Sequence, residues 1–271
     1  MGKTWQEVNL LLDQADRILN CEDPAPHEGP FHVGVDLGTA DVVLMVVDPR
    51  GRPLAAFLEW AQVVRDGVVV DFVGAVDIVR RLVEKAQARL GVEITRASTS
   101  FPPGTDPRLS TNILETAGLD VDRVVDEPSC VGHLLDLDKA AVVDIGGGTT
   151  GTAVLSRGRV IFSDDEPTGG THITLVIAGR YGLSFHEAEE RKLAADDPSI
   201  LDLARPTLQR ICDIVANHIA GRDVRRIILS GGTCCLEGIE AVFTRELGLP
   251  VKVPSRPLLL TPLAIASLAV E

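Results

Sequence analysis

No apolar run in this 271-residue chain approaches the ~20 residues that a membrane-crossing helix needs, and no charged-then-apolar leader opens it. The expectation is a soluble, cytoplasmic protein without a membrane partner. Histidines are scattered: His27, His32, His133, His172, His186 and His218 form no i, i+4 or close pair, which argues against a dedicated metal site. The five cysteines are odd in number and only Cys234 and Cys235 adjoin, a spacing that suits neither zinc nor a redox pair. They fit reduced thiols. Basic residues are outnumbered 39 to 26, and the net charge of −13 repels nucleic acid and anionic lipid at long range. Trp5 and Trp60 stand far apart and read as packing anchors rather than a ligand cage. What remains is ordinary globular material, 45% hydrophobic and 24% charged, long enough for one large core or two modest ones.

Residues 4 to 20, TWQEVNLLLDQADRILN, place Trp5, Val8, Leu11, Leu12, Ala15, Ile18 and Leu19 at helical spacing, with Thr4 and Glu7 set for a capping box. CEDPAPHEGP, 21 to 30, ends that helix and reads as a linker. From Phe31 the pattern is strand, turn, strand (FHVGV, DLGTA, DVVLMVVD), then a turn at PRGRP and a further strand, PLAAFLEW. A helix (VGAVDIVRRLVEKAQARLG) and a strand stopped by Pro102 and Pro103 follow. Residues 107 to 138 read as helix, short strand (RVVDE) and helix.

The opening pattern then recurs. AAVVDIGGGTTGTAVLSRGRVIFSDDEP is again strand, Gly-rich turn, strand, polar turn, strand, with the two turns 108 residues apart, from Asp36 to Asp144. Gly38 with Thr39, and Gly146, Gly147 and Gly148 with Thr149 and Thr150, make bare turns whose backbone N–H groups can approach a phosphate without Cβ obstruction while threonine hydroxyls add donors. Asp36 and Asp144 are then placed to hold a hydrated Mg²⁺ between two such turns. Either turn alone is better read as a tight hairpin whose aspartate caps it; two in equivalent strand contexts favour the phosphate clamp.

Five segments together resemble the actin-like ATPase superfamily shared by actin, sugar kinases and the seventy-kilodalton heat-shock chaperones. VGVDLGTA (33 to 40) and VVDIGGGTT (142 to 150) resemble its phosphate loops, DEPSCVG (126 to 132) and TPLAIASLA (261 to 269) its connecting segments, and LSGGTC (229 to 234) its adenosine loop. More narrowly, the short chain with EPSCVG and GGGTTG is similar to the chaperone-like proteins of ethanolamine-utilization operons, which encode a bacterial microcompartment. The resemblance implies a two-lobed α/β fold of duplicated ribonuclease H-like lobes. Residues 1–29 would be an N-terminal helix and linker, 30–138 plus 262–271 lobe I, and 139–261 lobe II. It also implies ATP or ADP with Mg²⁺ in the cleft. Asp36 and Asp144 would orient metal-bound water, Thr39 and Thr149 touch phosphates, and Glu127 help place the attacking water. Such chemistry asks mainly for positioning and charge neutralisation. Glu127 precedes Pro128, which biases it towards extended backbone at a helix start, where the helix dipole alone would also favour a carboxylate.

Ser230, Gly231, Gly232 and Thr233 follow the strand RRIILS and are expected to open a helix close to the nucleotide. Glu189 and Lys192, on one face of HEAEERKL, are similar to the chaperones' adenosine-contacting pair, although a solvated charged face would look the same. Gly169 and Gly170 precede a helix and suggest one more close backbone approach near the phosphates. Two departures bear on activity. The chaperones' phosphate-contacting lysine of the first lobe has no match, since Lys85 lies in an amphipathic helix and Arg65 beside a turn. The chain is also expected to lack a peptide-binding β-domain and lid, since its sequence stops directly after the last helix. ATP binding is the firmer expectation, with weak hydrolysis, and three roles stay open: an ATPase module acting on partners, a nucleotide-dependent scaffold, and a small-molecule kinase, for which the chain is short. The amphipathic segment 4–20 resembles tags that dock cargo on microcompartment shells, unless its apolar face packs on the protein itself.

Overall fold

The computed structural model describes residues 2–61, 63–65, 68–194 and 197–268. Residues 269–271 of the expected final segment, and the side chain of Arg65, lie outside the described residues. The chain opens with α1 (Trp5–Arg17), capped as expected: Glu7 N–H donates to Thr4 Oγ1 (3.3 Å) and Glu7 Oε2 accepts from Thr4 N–H (2.8 Å). Then come β1 (His32–Leu37), β2 (Asp41–Val47), β3 (Pro53–Trp60), the short pair β4 (Val64–Arg65) and β5 (Val68–Val69), α2 (Phe72–Leu90), β6 (Arg96–Phe101), α3 (Arg108–Ala117), β7 (Asp120–Asp126) and α4 (Glu127–Leu134). The second half has β8 (Ala140–Ile145), β9 (Thr150–Ser156), β10 (Arg159–Glu166), α5 (Gly170–Tyr181), α6 (Phe185–Ala194), α7 (Ser199–Ile219), β11 (Arg226–Ser230), α8 (Ile239–Leu247), β12 (Val251–Lys252) and α9 (Leu260–Ser267).

The sequence repeat is a structural one. One five-stranded sheet runs β3-β2-β1-β6-β7 and the other β10-β9-β8-β11-β12, each with three antiparallel strands followed by two parallel ones. Strand alternation divides their side chains between layers. In β2, Val42, Leu44 and Val46 face α2 and α3, whereas Val43, Met45 and Val47 face the middle of the molecule; in β8, Ala141, Val143 and Ile145 face α5, α7 and α8, whereas Ala140 and Val142 face the middle. That middle layer holds α4 and α9 between the two sheets. A Cβ on Gly34 would come 2.4 Å from the backbone N of Ala266, so glycine at this point of β1 is what lets α9 lie on the sheet.

Two expectations change here. The strand before α4 starts at Asp120 rather than Arg123, and Glu127 is already helical: Asp126 is the extended N-cap, its carboxylate accepting from Ser129 N–H (3.1 Å). A proline in the first helical turn gives up an N–H that has no intrahelical partner, which outweighs the extended bias on the residue before it. The second correction concerns residues 4–20 as a docking tag. Val8, Leu11, Leu12 and Ala15 are buried in the middle core, and Trp5 packs against it, so the apolar face that a shell or other partner would need is covered by the protein itself. Burial of each large aliphatic there is worth about 1.5–3 kcal/mol, which an external partner would have to replace. Among the described residues no helix is long and apolar enough to cross a membrane.

Candidate functional site

β1 and β8 each carry an aspartate one residue before their last, a glycine turn follows each strand, and the two turns meet. A Cβ on Gly147 would stand 3.1 Å from Cβ of Ala40. Asp36 Oδ1 accepts from Ser100 Oγ (3.1 Å), presented by the neighbouring parallel strand β6. Asp144 is held more tightly: its Oδ2 accepts from Ser230 Oγ (2.9 Å), at the end of β11, and from Thr261 Oγ1 (2.5 Å), in the first turn of α9. Gly231 is required next to it. Its φ is +91°, which L residues rarely adopt, and a Cβ would come 2.5 Å from Asp144 Oδ1.

The electrostatics are those of a carboxylate cluster without enough cations. Burial, then the Asp144 and Asp41 charges, push Asp36 up to about 8 against the opposing Ser100 hydrogen bond. Burial and Asp144 raise Asp41 to about 7. Burial also lifts Asp165 to about 7, opposed by a hydrogen bond from Thr149. Glu127 is held well above the usual range by burial and then by Asp36 and Asp144, and Asp144 is raised by burial in spite of Thr261 and Ser230. Among the described residues lining the cleft, Lys192 is the only cation. Lys85, considered for the first-lobe lysine, instead pairs with Glu22 (2.9 Å) and is not part of the lining.

Most of the sequence candidates converge on this cleft. Asp36, Gly38, Thr39 and Glu127 line it from the first half. Asp144, Gly146, Gly147, Thr149, Glu189 and Lys192 line it from the second, with Gly231, Gly232 and Thr233 beside them. Glu189 and Lys192 are not a solvated face: the Lys192 side chain is 11% exposed, and its ammonium donates to Glu189 (2.8 Å), Thr174 Oγ1 (3.0 Å) and Gly170 O (3.3 Å).

Other candidates serve as supports. Gly148 is buried and off the lining. Thr150 is fully buried, and its hydroxyl donates to Thr168 O (2.6 Å), which leaves it no reach to a ligand. Gly169 and Gly170 do make a close approach, but to the second turn. Gly170 N–H donates to Gly146 O (2.9 Å) and Thr171 N–H to Gly147 O (2.8 Å), while a Cβ on Gly169 would meet both carbonyl oxygens at 2.7 Å. The first donors of α5 are therefore taken up in shaping the turn. Gly232–Cys235 is a single 3₁₀ turn, with α8 starting only at Ile239, and Thr233 Oγ1 donates to Gly146 O (2.8 Å).

Several residues in the cleft or beside it were not anticipated. Asp41 and Asp165 belong to the charge cluster, and Thr261 and Ser100 orient the two loop aspartates. Trp60 corrects the packing-anchor expectation: it is 55% exposed and lines the cleft. Strand alternation explains this, because Trp60 shares a face with Leu58 and Ala56 of the middle core but lies beyond its end, opposite Asp41 in the β2–β3 register. The alternation was readable in the sequence, but where the core ends was not.

The residues present suit a hydrated divalent cation bound with phosphate oxygens. Among the described residues no three His, Cys, Asp or Glu side chains form a group able to hold a metal directly. Two facing aspartates in a crowded set of raised carboxylates leave the other ligand positions to water and to the bound anion.

Comparison with known proteins agrees with the geometry. A profile described as type IV pilus assembly protein PilM matches residues 135–258, and one described as MreB/Mbl protein matches residues 57–186. The chain is 50% identical over 268 residues to the ethanolamine utilization protein EutJ of Escherichia coli (strain K12), covering 98% of this chain and 96% of that protein. The crystal structure of the ethanolamine utilization protein EutJ from Carboxydothermus hydrogenoformans superposes with a TM-score of 0.91 at 42% identity, covering 97% of this chain and 99% of that one. The structure of MreB5 of Spiroplasma citri bound to AMPPNP, at 17% identity and covering 88% of this chain and 95% of that one, superposes with a TM-score of 0.69, a likeness of fold. The chain has the actin-like ATPase fold.

Proposed function

This chain belongs to the EutJ family of ethanolamine utilization proteins, and from that we propose that it is an ATP-binding, chaperone-like switch that assists assembly or maturation of microcompartment-associated enzymes. One observation carries the reading: two glycine turns from the two halves of a duplicated fold touch each other, with Asp36 and Asp144 beneath them in one cleft. In this reading residues 30–138 with 262–271 form one lobe and 139–261 the other, and a nucleotide lies between them.

Asp36 and Asp144 would hold the water shell of a Mg²⁺ ion, with Ser100, Ser230 and Thr261 fixing their orientation. Bound there, the ion would neutralise phosphate charge and polarise the terminal phosphoryl group. Gly38, Thr39 and Gly147 offer the backbone and hydroxyl donors of the phosphate cradle, the Gly146 N–H donating instead to Thr149 O (3.0 Å), and Glu189, Lys192, Gly231 and Gly232 bound the nucleoside end. Glu127, whose raised titration keeps it protonated longer than an ordinary glutamate, positions a water rather than serving as a strong base. Turnover is slow on this reading, because among the described residues the cleft has one cation and that cation is bonded to Glu189. The same observation favours a second reading, a nucleotide-dependent scaffold with negligible hydrolysis.

Calorimetric titration with Mg²⁺-ATP and Mg²⁺-ADP, with phosphate release measured on the same samples, tests this. The wild type is expected to bind both with slow turnover, and Asp144→Asn, checked for native circular dichroism, to bind at least about tenfold more weakly, the loss of one charge-assisted contact. Phosphate release at the background rate with binding intact selects the scaffold. A folded wild type that binds neither nucleotide overturns both readings.

A further inference from the structure

α1 touches both halves of the molecule, and the contacts differ in kind. Towards the first half, its apolar face sits in the middle core, and the chain that leaves it runs along the open edge of β3. Asn20 N–H donates to Ala56 O (2.8 Å) and Leu58 N–H to Asn20 Oδ1 (2.8 Å). Towards the second half that face also meets Pro257–Leu259 in the same core, and beside this lie polar contacts at the surface, all on residues 252–256. Ser255 N–H donates to Asn9 Oδ1 (2.6 Å) and Ser255 Oγ to Asn9 O (3.4 Å). The Arg256 guanidinium pairs with Asp16 (3.1 Å) and Asp13 (3.8 Å), and the Lys252 ammonium lies 5.5 Å from the Trp5 ring centroid.

That same segment borders the cleft. Cys235 and Leu258 line the cleft on one side, and on the other a groove of about 410 Å³ beside the C-terminal end of α1, which Asp16 and Arg256 also line. A change of position at the Gly231–Cys235 turn or at Leu258 therefore reaches the surface that α1 grips. The cleft itself offers about 100 Å³, whereas small-ligand sites occupy about 300 Å³ or more. Admitting a nucleotide thus requires the halves to separate along the line that α1 crosses.

We propose that α1 is a strap across the two halves whose polar grip on residues 252–256 is coupled to nucleotide occupancy of the cleft. This rests on the nucleotide reading above and adds a regulatory element to it. The apolar face is the fixed end, because moving it would expose core. The polar ties to Ser255 and Arg256 are the releasable end, because water can replace them at little cost. Linkage then imposes a quantitative condition: the factor by which the ties alter nucleotide affinity equals the factor by which nucleotide alters the opening of the ties.

The test uses the full chain carrying Asn9→Ala and Arg256→Ala together, which leaves Val8, Leu11, Leu12 and Ala15 in place. Amide hydrogen exchange over residues 5–17 and 252–258 is measured with and without saturating Mg²⁺-ADP, alongside the calorimetric Kd. In the wild type, nucleotide is expected to change protection of both segments by about fivefold or more, and the double variant to lose that change while its Kd shifts by a similar factor. Gln14→Ala, on the exposed side of α1, should match wild type in both measurements. A wild type that binds nucleotide without altered protection, or a double variant with Kd within twofold of wild type, overturns the strap and leaves the nucleotide reading standing. Equal shifts in Gln14→Ala also overturn it, since they would come from general loosening of the helix. A wild type that binds no nucleotide removes both proposals.

Discussion

Replacing Thr261 with valine isolates one interaction in the cleft. The residue is 3% exposed, and valine has nearly its shape, so the change removes a hydroxyl donor 2.5 Å from Asp144 Oδ2 and leaves the surrounding volume filled. A hydrogen bond to an ionised group is worth about 1.5–3 kcal/mol, a neutral one about 0.5–1.5 kcal/mol. The cost of Thr261→Val therefore depends on the charge of Asp144. Thr261 lowers the Asp144 pKa while burial raises it, so removing the hydroxyl lets the pKa climb further. The deficit in unfolding free energy should be smaller at pH 5 than at pH 9, rising from the range of a neutral bond, about 0.5–1.5 kcal/mol, towards that of a charge-assisted one, about 1.5–3 kcal/mol, as the carboxyl ionises. For a protein of this size the larger figure corresponds to a Tm drop of about 3–12 °C.

Urea titrations followed by far-UV circular dichroism at the two pH values provide the comparison. Ser230→Ala, which removes the second donor to the same oxygen (2.9 Å), should show the same pH trend, and the double variant should fall short of additivity because both donors serve one atom. A deficit equal at pH 5 and pH 9 would mean that packing, not the bond to the carboxylate, was lost. No deficit at either pH would refute the role of Thr261 altogether.

Stability should fall from pH 5 to pH 9, because Asp36 at about 8, and Asp41 and Asp165 at about 7, keep protons in the native state that the unfolded chain, with ordinary aspartates, has already released. Thermal unfolding at fixed ionic strength measures this; Mg²⁺ with nucleotide should flatten the slope, and stability rising across that window would contradict the carboxylate cluster. Trp5→Phe leaves Trp60 as the sole tryptophan, and saturating Mg²⁺-ATP should shift or quench its emission. Unchanged emission at a saturation established by calorimetry would remove Trp60 from the ligand's surroundings.

The fold was legible because its signal is repeated. Asp36-x-Gly-Thr and Asp144-x-Gly-Gly-Gly-Thr sit in the same strand–turn–strand frame, and the unbroken apolar run in DVVLMVVD foretells a strand buried on two faces, which β2 is. Residues with a local rule behind them were also legible, such as the Thr4 and Glu7 capping box. The supports were not. Thr261 is 117 positions from the carboxylate it touches, and Ser100 is 64 from Asp36, so nothing local marks either. Thr149 and Thr150 look alike in sequence, but the strand register that begins at Thr150 turns one hydroxyl to Asp165 at the cleft and the other to a buried carbonyl. Amphipathicity told that α1 has something to cover, though not whether the cover was its own core or a partner.

The shortage of positive charge in the cleft bears on what the proposed switch can do. Phosphoryl transfer is accelerated mainly by groups that neutralise charge as it develops on the transferring and leaving oxygens. Here the one cation lining the cleft among the described residues, Lys192, is bonded to Glu189, Thr174 and Gly170 O, away from the carboxylate floor. Asp36, Asp41, Glu127, Asp144 and Asp165 gather carboxyls where the phosphates would lie, and burial first, with neighbouring carboxylates adding to it for all but Asp144, raises their titrations. On the proposed reading a polyanion would be held only together with its divalent cation, and the barrier to hydrolysis would stay high. On the proposed reading, such a cleft is suited to persisting in the ATP-bound form until a partner changes the relation of the two halves, and the grip of α1 on Ser255 and Arg256 lies where that change would register.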